Sequence, residues 1–405
     1  MFSKRNLLHH KQVLVLLVLL LPLSLWAQKK QIQAARDQVK SGKELAKAVA
    51  SMQGLLTDSA NRHNPRIWMV LCDALTAQYE QGNEKLYLGQ ATDTTALFAV
   101  TKRLFDTMSA FDSIDVKSDT KGKVRAEHRQ RNAAYLNTIR PNLFNGGVFY
   151  TRKKAYEEAY RFYETYIQSA HWPLFTGYDY VKIDPLLPHA AYWAMYCGFK
   201  MGSAERIIRY QELAERDTSM LNFVRQYQAE AFLLQKDTAR YVNALRDGFA
   251  RYPNFSFFYP RLIAYYERHG LHDSSLVVAD KALEADSTSV LFRLTKSSIL
   301  LNLGRYDECI ALCTGLLAQN DSLPEAYYYI GLAYFNQAIA LDKVVQRNRK
   351  EREKIIGLYK EALPYLERFR ALAPDERERW LQPLYTIYLN LNMGEEFDEI
   401  NNGGF

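Results

Sequence analysis

The stretch that decides the fold runs from Ser256 to Gly270, SFFYPRLIAYYERHG, and continues from Leu271 to Ser287 as LHDSSLVVADKALEADS. In the first half Phe258, Tyr259, Leu262, Ile263 and Tyr266 recur at three- and four-residue spacing, which puts them on one face of a helix. Gly270 then offers the backbone freedom that ends a helix in a left-handed turn. In the second half Leu276, Ala279, Ala282 and Leu283 mark the apolar face of another helix. The two halves read as an antiparallel helix pair.

Reading outward, the same scheme returns. Val290 to Leu323 contains LFRLTKSSILLNLGRYDECIALCTGLLAQND, and PEAYYYIGLAYFNQ opens a third copy at Pro324. Pro253, Ser287 and Asp321 stand 34 residues apart, as do Gly270 and Gly304. A fixed period of this length predicts a solenoid, in which each unit buries its apolar face against the next.

The repeat resembles the tetratricopeptide repeat. Tyr327, Ile330, Gly331 and Tyr334 fit the first half of that pattern, and GRYDECIAL, from Gly304 to Leu312, looks like its turn into the second helix. Small residues are wanted where the two helices cross closely, because a bulky side chain there would force them apart. Weaker copies lie on both sides. Leu143, Gly147 and Tyr150 open a unit whose second helix is KAYEEAYRFYETYIQ; Ala190 to Gly202 opens another, closed by Ala214; Leu221 to Pro253 forms a third. Trp68, Leu71, Cys72 and Leu75 mark an earlier first helix, with Ala96 to Phe111 as its partner.

The resemblance implies an all-α fold, a right-handed superhelical solenoid of antiparallel helix pairs with about seven or eight units. Within residues 28–405 the expected divisions are divergent units over 28–139, moderate repeats over 140–255, clear repeats over 256–375 with an insertion near 342–355, and capping helices over 376–405. Residues 1–27 form a separate segment: Lys4, Arg5 and Lys11, then an apolar run from Val13, then the small Ala27. This predicts a secretory signal peptide, cleaved before Gln28, and a periplasmic or secreted protein of a Gram-negative bacterium.

Composition narrows the function. The formal charge of +7 falls to +4 without Lys4, Arg5 and Lys11, too mild an excess to argue for nucleic acid. Aromatic residues at 13% and hydrophobic ones at 48% suffice for a core. Cys72, Cys197, Cys309 and Cys313 fall at inward-facing positions and read as buried thiols. Cys309 and Cys313 lie one turn apart on a helix, an arrangement unsuited to a disulfide. No phosphate-binding GxxxxGK, GxSxG elbow or HExxH occurs, so no catalytic residue and no cofactor is expected. The sequence HGLHD, with His269, His272 and Asp273, carries ligand chemistry, but a turn between repeat helices is where exposed polar residues belong; no metal is assigned. Lys117 to Arg131 reads as a solvated helix and linker.

The resemblance also implies that first helices line a concave groove that holds a protein or peptide. Its groove positions fall on Asn145 and Arg152, then Tyr192, Tyr196 and Lys200, then Tyr227 and Glu230. They continue at Arg261, Glu267 and Arg268, then Ser298 and Asn302, then Tyr328, Tyr329 and Asn336. Tyrosine and arginine suit interfaces because each joins contact area to hydrogen bonding. One subtype of the family grips a C-terminal carboxylate with Lys and Asn at two fixed positions; Phe144 and Val148, Tyr192 and Tyr196, or Leu294 and Ser298 stand there instead. The expected role is a scaffold or adaptor of the cell envelope. The alternative is a glycan-binding protein of nutrient uptake, with Trp172, Trp193 and Tyr178 stacking on sugars. The aromatic connection His171 to Pro188 is either a cap on the edge of a helix pair or a lip over the groove.

Overall fold

The structure, a computed structural model, describes residues 26–118, 124–344 and 349–402. Most of the expected signal peptide, residues 1–25, lies outside them. The chain divides into two compact units, Met1–Gln235 and Lys236–Phe405. Both are built from antiparallel helix pairs, as the repeat period requires, and the first also carries one short hairpin.

The first unit holds α1 (26–41), α2 (Leu45–Thr57), α3 (Pro65–Tyr87), α4 (Thr94–Asp115), α5 (Arg129–Ile139), α6 (Pro141–Arg152) and α7 (Tyr156–Ser169). It continues with α8 (Tyr180–Ile183), α9 (Leu186–Lys200), α10 (Ala204–Ile208), α11 (Gln211–Ala214) and α12 (Leu221–Leu234). One buried apolar cluster runs through it from Ile32 to Ala231. The second unit holds α13 (Thr238–Arg251), α14 (Phe258–Arg268), α15 (His272–Ala285), α16 (Val290–Asn302), α17 (Tyr306–Leu317), α18 (Pro324–Val344), α19 (Arg349–Leu372), α20 (Arg377–Leu391) and α21 (Gly394–Asn402).

The turn between the helices of a pair shows the repeat most directly. Gly270 has φ +66° and its N–H bonds the Glu267 carbonyl, while the Leu271 N–H bonds that of Tyr266. Gly304 has φ +72°, with Gly304 N–H to Leu301 and Arg305 N–H to Leu300. These are Schellman closures, which satisfy carbonyls left over at a helix end. The same pair of bonds closes α9 at Gly202, φ +65°, and α6 at Lys154, φ +59°. Lys236 is likewise left-handed, at φ 58°, in the short turn between Leu234 and Thr238. Gly202, Lys236, Gly270 and Gly304 therefore keep the 34-residue period through the weak copies, where lysine occupies a position that prefers glycine.

Inside the pairs the close crossings fall where small residues were expected. A Cβ on Gly147 would sit 2.4 Å from the Tyr163 ring, and one on Gly331 would sit 2.6 Å from Leu366. Phe258, Tyr259, Leu262, Ile263 and Tyr266 are all buried, on the face their spacing predicts. The insertion near 342–355 is mostly helix: α18 and α19 run to 21 and 24 residues against 13 and 12 in α16 and α17, with residues 345–348 outside the described set.

Lys117 to Arg131 is not all helix and linker. Val116–Ser118 (β1) pairs antiparallel with Val124–Ala126 (β2), and α5 follows. Its cations are partly matched as well. Arg129 holds Asp112 through two bonds of 2.8 Å, and Arg131 lies 3.7 Å from Asp73.

The aromatic connection 171–188 resolves as a cap. Leu174, Phe175 and Tyr180 are buried, and Phe175 packs with Phe105, Trp172, Tyr178 and Tyr180. Arg140, 4% exposed, pins it. The guanidinium lies 3.8 Å from the Tyr166 ring and 4.0 Å from the Tyr180 ring. It donates to Ser169 Oγ at 3.2 Å, to the Tyr166 carbonyl at 3.1 Å, and to the Asp184 carboxylate. Tyr166 also donates to Asp184, at 2.8 Å. A buried charge demands such complete partnering, because desolvation is costly.

Candidate first-helix face

Within the first unit α6, α9 and α12 are the first helices of successive pairs, and α6 and α9 run side by side in the same direction. Phe144 near the start of α6 stacks on His189 near the start of α9, with centroids 5.9 Å apart. Near their ends Thr151 Oγ1 lies 3.9 Å from Cys197 Sγ. Rings of α9 then meet α12: Tyr192, Tyr196 and Phe199 lie 6.0, 6.2 and 5.1 Å from Tyr227.

This packing sorts the candidates. Tyr192 and Tyr227 are only 6% and 5% exposed. They are corrected from groove residues to core: each closes the seam between neighbouring first helices, so little of either ring is left for a ligand. Burial pushes both phenols upward. Tyr196 is half-buried, and Asn145, Arg152 and Lys200 are exposed; Glu230 is half-buried. Lys200 sits over Tyr196 and Phe199, 5.4 and 5.3 Å from the ring centroids, and Lys153 sits 4.3 Å from Phe149. Cations over ring faces gain about 0.5–1 kcal/mol at exposed sites while leaving the charge available.

The second unit brings some of its candidates together. Glu267 on α14 accepts from Asn302 on α16 at 2.9 Å and meets His272 on α15 at 3.0 Å. This carboxylate ties three helices together, a joint between repeats that the sequence presented only as a groove residue. Arg268 is exposed, and Arg261 reaches back over Phe257, 3.9 Å from the ring. Tyr328, Tyr329, Ser298 and Asn336 are half-buried, with Tyr328 against Phe369 and beneath Arg379 at 4.0 Å.

Two side chains on the first-unit face carry chemistry that the groove positions missed. His189 lies one turn before Trp193. Trp193 Nε1–H donates to His189 Nε2 at 3.0 Å, and His189 Nδ1 lies 3.0 Å from Asp217 Oδ2. Burial works to raise the Asp217 carboxyl, but hydrogen bonds from Ser219 and His189 outweigh it and hold it below its ordinary range. The i, i+4 spacing of His and Trp was the available signal. Trp172 and Tyr178, proposed with Trp193 as sugar platforms, instead pack in the cap.

All four cysteines are buried and free. Burial pushes the thiols of Cys72 and Cys197 up to about 12. Among the described residues one group has metal-ligand geometry, Asp115, Glu127 and His128, with ligand atoms within 4.8 Å. Asp115 is already engaged there. It accepts from the His128 backbone N–H at 2.6 Å and meets its ring at 3.0 Å, joining the end of α4 to the start of α5. His269 and His272 point to separate partners, the Tyr265 carbonyl and Glu267.

No family model matches the chain, and no curated protein matches it. Among solved structures it is similar to a mutant of MamA, at 18% identity over 47% of this chain and 99% of that one, with a TM-score of 0.32. It is similar to a tetratricopeptide-repeat protein of Bacteroides fragilis, at 18% identity over 61% and 97%, TM-score 0.31. It is similar too to yeast Tom70, at 15% identity over 92% and 91%, TM-score 0.29. By its own geometry the chain is an all-α repeat protein of antiparallel helix pairs with a 34-residue period.

Proposed function

We propose that this protein binds another protein or a peptide along the first-helix face of its repeats and serves as a scaffold or adaptor rather than as an enzyme. The observation that carries the reading is the α6–α9–α12 face. There half-buried Trp193, Tyr196 and Phe199 stand beside exposed Asn145, Arg152 and Lys200 on helices fixed by a packed core. Rigid aromatic anchors ringed by polar and cationic groups are what interfaces select. The asparagine adds a donor and an acceptor suited to a peptide backbone.

The reading extends to place. The basic start, apolar run and Ala27 support export of the chain, and a role in the envelope of a Gram-negative bacterium, periplasmic or secreted. Among the described residues no helix is long and apolar enough to cross a membrane.

The test is capture by crosslinking in intact cells with a tagged form, comparing wild type with Arg152→Ala, Tyr196→Ala and Lys200→Ala combined. The expected result is one or two envelope proteins recovered with wild type and lost with the triple variant. The same proteins recovered equally by both would refute the face. N-terminal sequencing of the exported form should begin at Gln28.

A further inference from the structure

We propose that His189 is the positioning residue for Trp193 and makes the first-helix face sensitive to pH, acidification releasing the indole. The consequence for a partner rests on the reading of that face given above; the switch itself does not.

An indole N–H can only donate, so the nitrogen it reaches, His189 Nε2, must be unprotonated. The ring proton is then on Nδ1, where it is donated to Asp217 Oδ2 at 3.0 Å. His189 is thus held as a single neutral tautomer with both nitrogens engaged. Its faces are engaged as well: Phe144 stacks at 5.9 Å and Tyr192 at 6.1 Å, at interplanar angles of 29° and 28°. The imidazole is held in place by two rings and a carboxylate, while Trp193 depends on it for the bond to its indole N–H.

Adding a proton makes Nε2 a donor that faces another donor. The bond to Trp193 is lost, and the two N–H groups repel. Asp217 does not oppose the change, because its carboxylate pairs better with the imidazolium. The strain therefore falls on the indole, which is half-buried and edges against Tyr192 and Tyr196 at 5.3 and 5.4 Å. A moved Trp193 changes the surface beside Tyr196 and Lys200.

Among the described residues the titratable groups in contact with His189 are Asp217, from the turn after α11, and Tyr192 on its own helix. α6 contributes the Phe144 ring, and α12 brings Tyr227 against Tyr192. From α7, Tyr166 packs on Phe144. Two neighbouring ion pairs, Arg140–Asp184 before α9 and Arg225–Glu215 between α11 and α12, are matched internally. Imidazole is the side chain that changes charge between about pH 8 and 5 without special tuning.

The experiment follows the indole N–H resonances of the whole protein from pH 8 to 5, with Trp193→Phe assigning the one that belongs to Trp193. The Trp193 resonance should move upfield in one step as its bond is lost. In His189→Gln, whose amide oxygen can accept from the indole but does not titrate, the step should vanish. In Asp217→Asn the step should move to lower pH, because the imidazolium loses its counter-charge. A wild-type Trp193 resonance unmoved over this range would overturn the proposal. So would a step that persists in His189→Gln or keeps its midpoint in Asp217→Asn. Should His189→Gln fail to fold, the wild-type step and the Asp217→Asn shift still decide. No partner enters the measurement, so its failure leaves the peptide-binding reading standing, and failure of that reading leaves the switch.

Discussion

Replacing Arg140 by methionine tests the cap over the first unit. The substitution keeps the apolar stem and removes the guanidinium from between Tyr166 and Tyr180. It deletes the bonds to Ser169 and to the Tyr166 carbonyl, and it leaves Asp184 without its cation. Asp184 keeps only the Tyr166 hydroxyl and the Leu186 N–H, at 2.8 and 2.9 Å, in a site where both ionic side chains are under 10% exposed. Removing one partner of a buried pair costs about 3–5 kcal/mol. The lost ring contacts overlap with that figure and are not added to it. In a unit of roughly 200 residues each kcal/mol moves the midpoint by about 2–4 °C, so Tm should fall by about 6–20 °C. The assay is calorimetry together with tryptic cleavage at Lys182, which should accelerate as the cap opens. Adding Asp184→Asn to Arg140→Met should recover part of the loss, since the stranded charge is gone. A loss below about 1 kcal/mol, the worth of an exposed pair, would refute the reasoning and return the segment to a free lip.

Three other expectations follow from the same geometry. Gly270→Ala should cost about 1–2 kcal/mol in denaturant unfolding, because its φ is +66° and open space around it leaves backbone strain as the whole effect, whereas Lys236→Gly should be neutral or stabilising. The four buried thiols should react with a disulfide reagent at pH 8 only as fast as the chain opens; burst modification of any of them in native protein would contradict their burial. Glu267→Gln should lose about 1 kcal/mol at pH 7. Burial tends to raise the Glu267 carboxyl, but the groups bonding to it, His272 and Asn302 among them, hold it below the usual glutamate value. A depressed carboxyl contributes stability above its unfolded pKa and loses it as pH falls through the folded one, so wild type and variant should converge as pH falls below the usual glutamate range.

How much of this was legible depended on how local each signal was. The helix pairs from α14 to α17 could be read because apolar spacing and two glycines lie within the pair they define. The period was harder to follow earlier in the chain because Lys154 and Lys236 take the left-handed turn position, and lysine announces no such turn. The cap was visible as an aromatic-rich segment, but Arg140, which decides that it packs, lies before α6, separated from it in sequence by α6 and α7. Tyr192 and Tyr227 were placed on the groove by repeat position; position fixes the direction of a side chain, whereas burial depends on how closely the next helix approaches. The hairpin of β1 and β2 had little legible signal, since each strand is only three residues long, too short for a period of two to stand out. His189 and Trp193 were each visible, but Asp217, which completes the arrangement, comes from a separate turn.

The central claim is that the first-helix face, and not the opposite surface, meets the partner. The measurement is site-specific photocrosslinking in cells, with the reactive residue placed at Asn145 or Lys200 on first helices and at Glu158 or Arg161 on the second helix α7, all four exposed. The account predicts a discrete crosslinked species from Asn145 and Lys200 and none from Glu158 and Arg161. The same species from α7, or from all four positions alike, would contradict it.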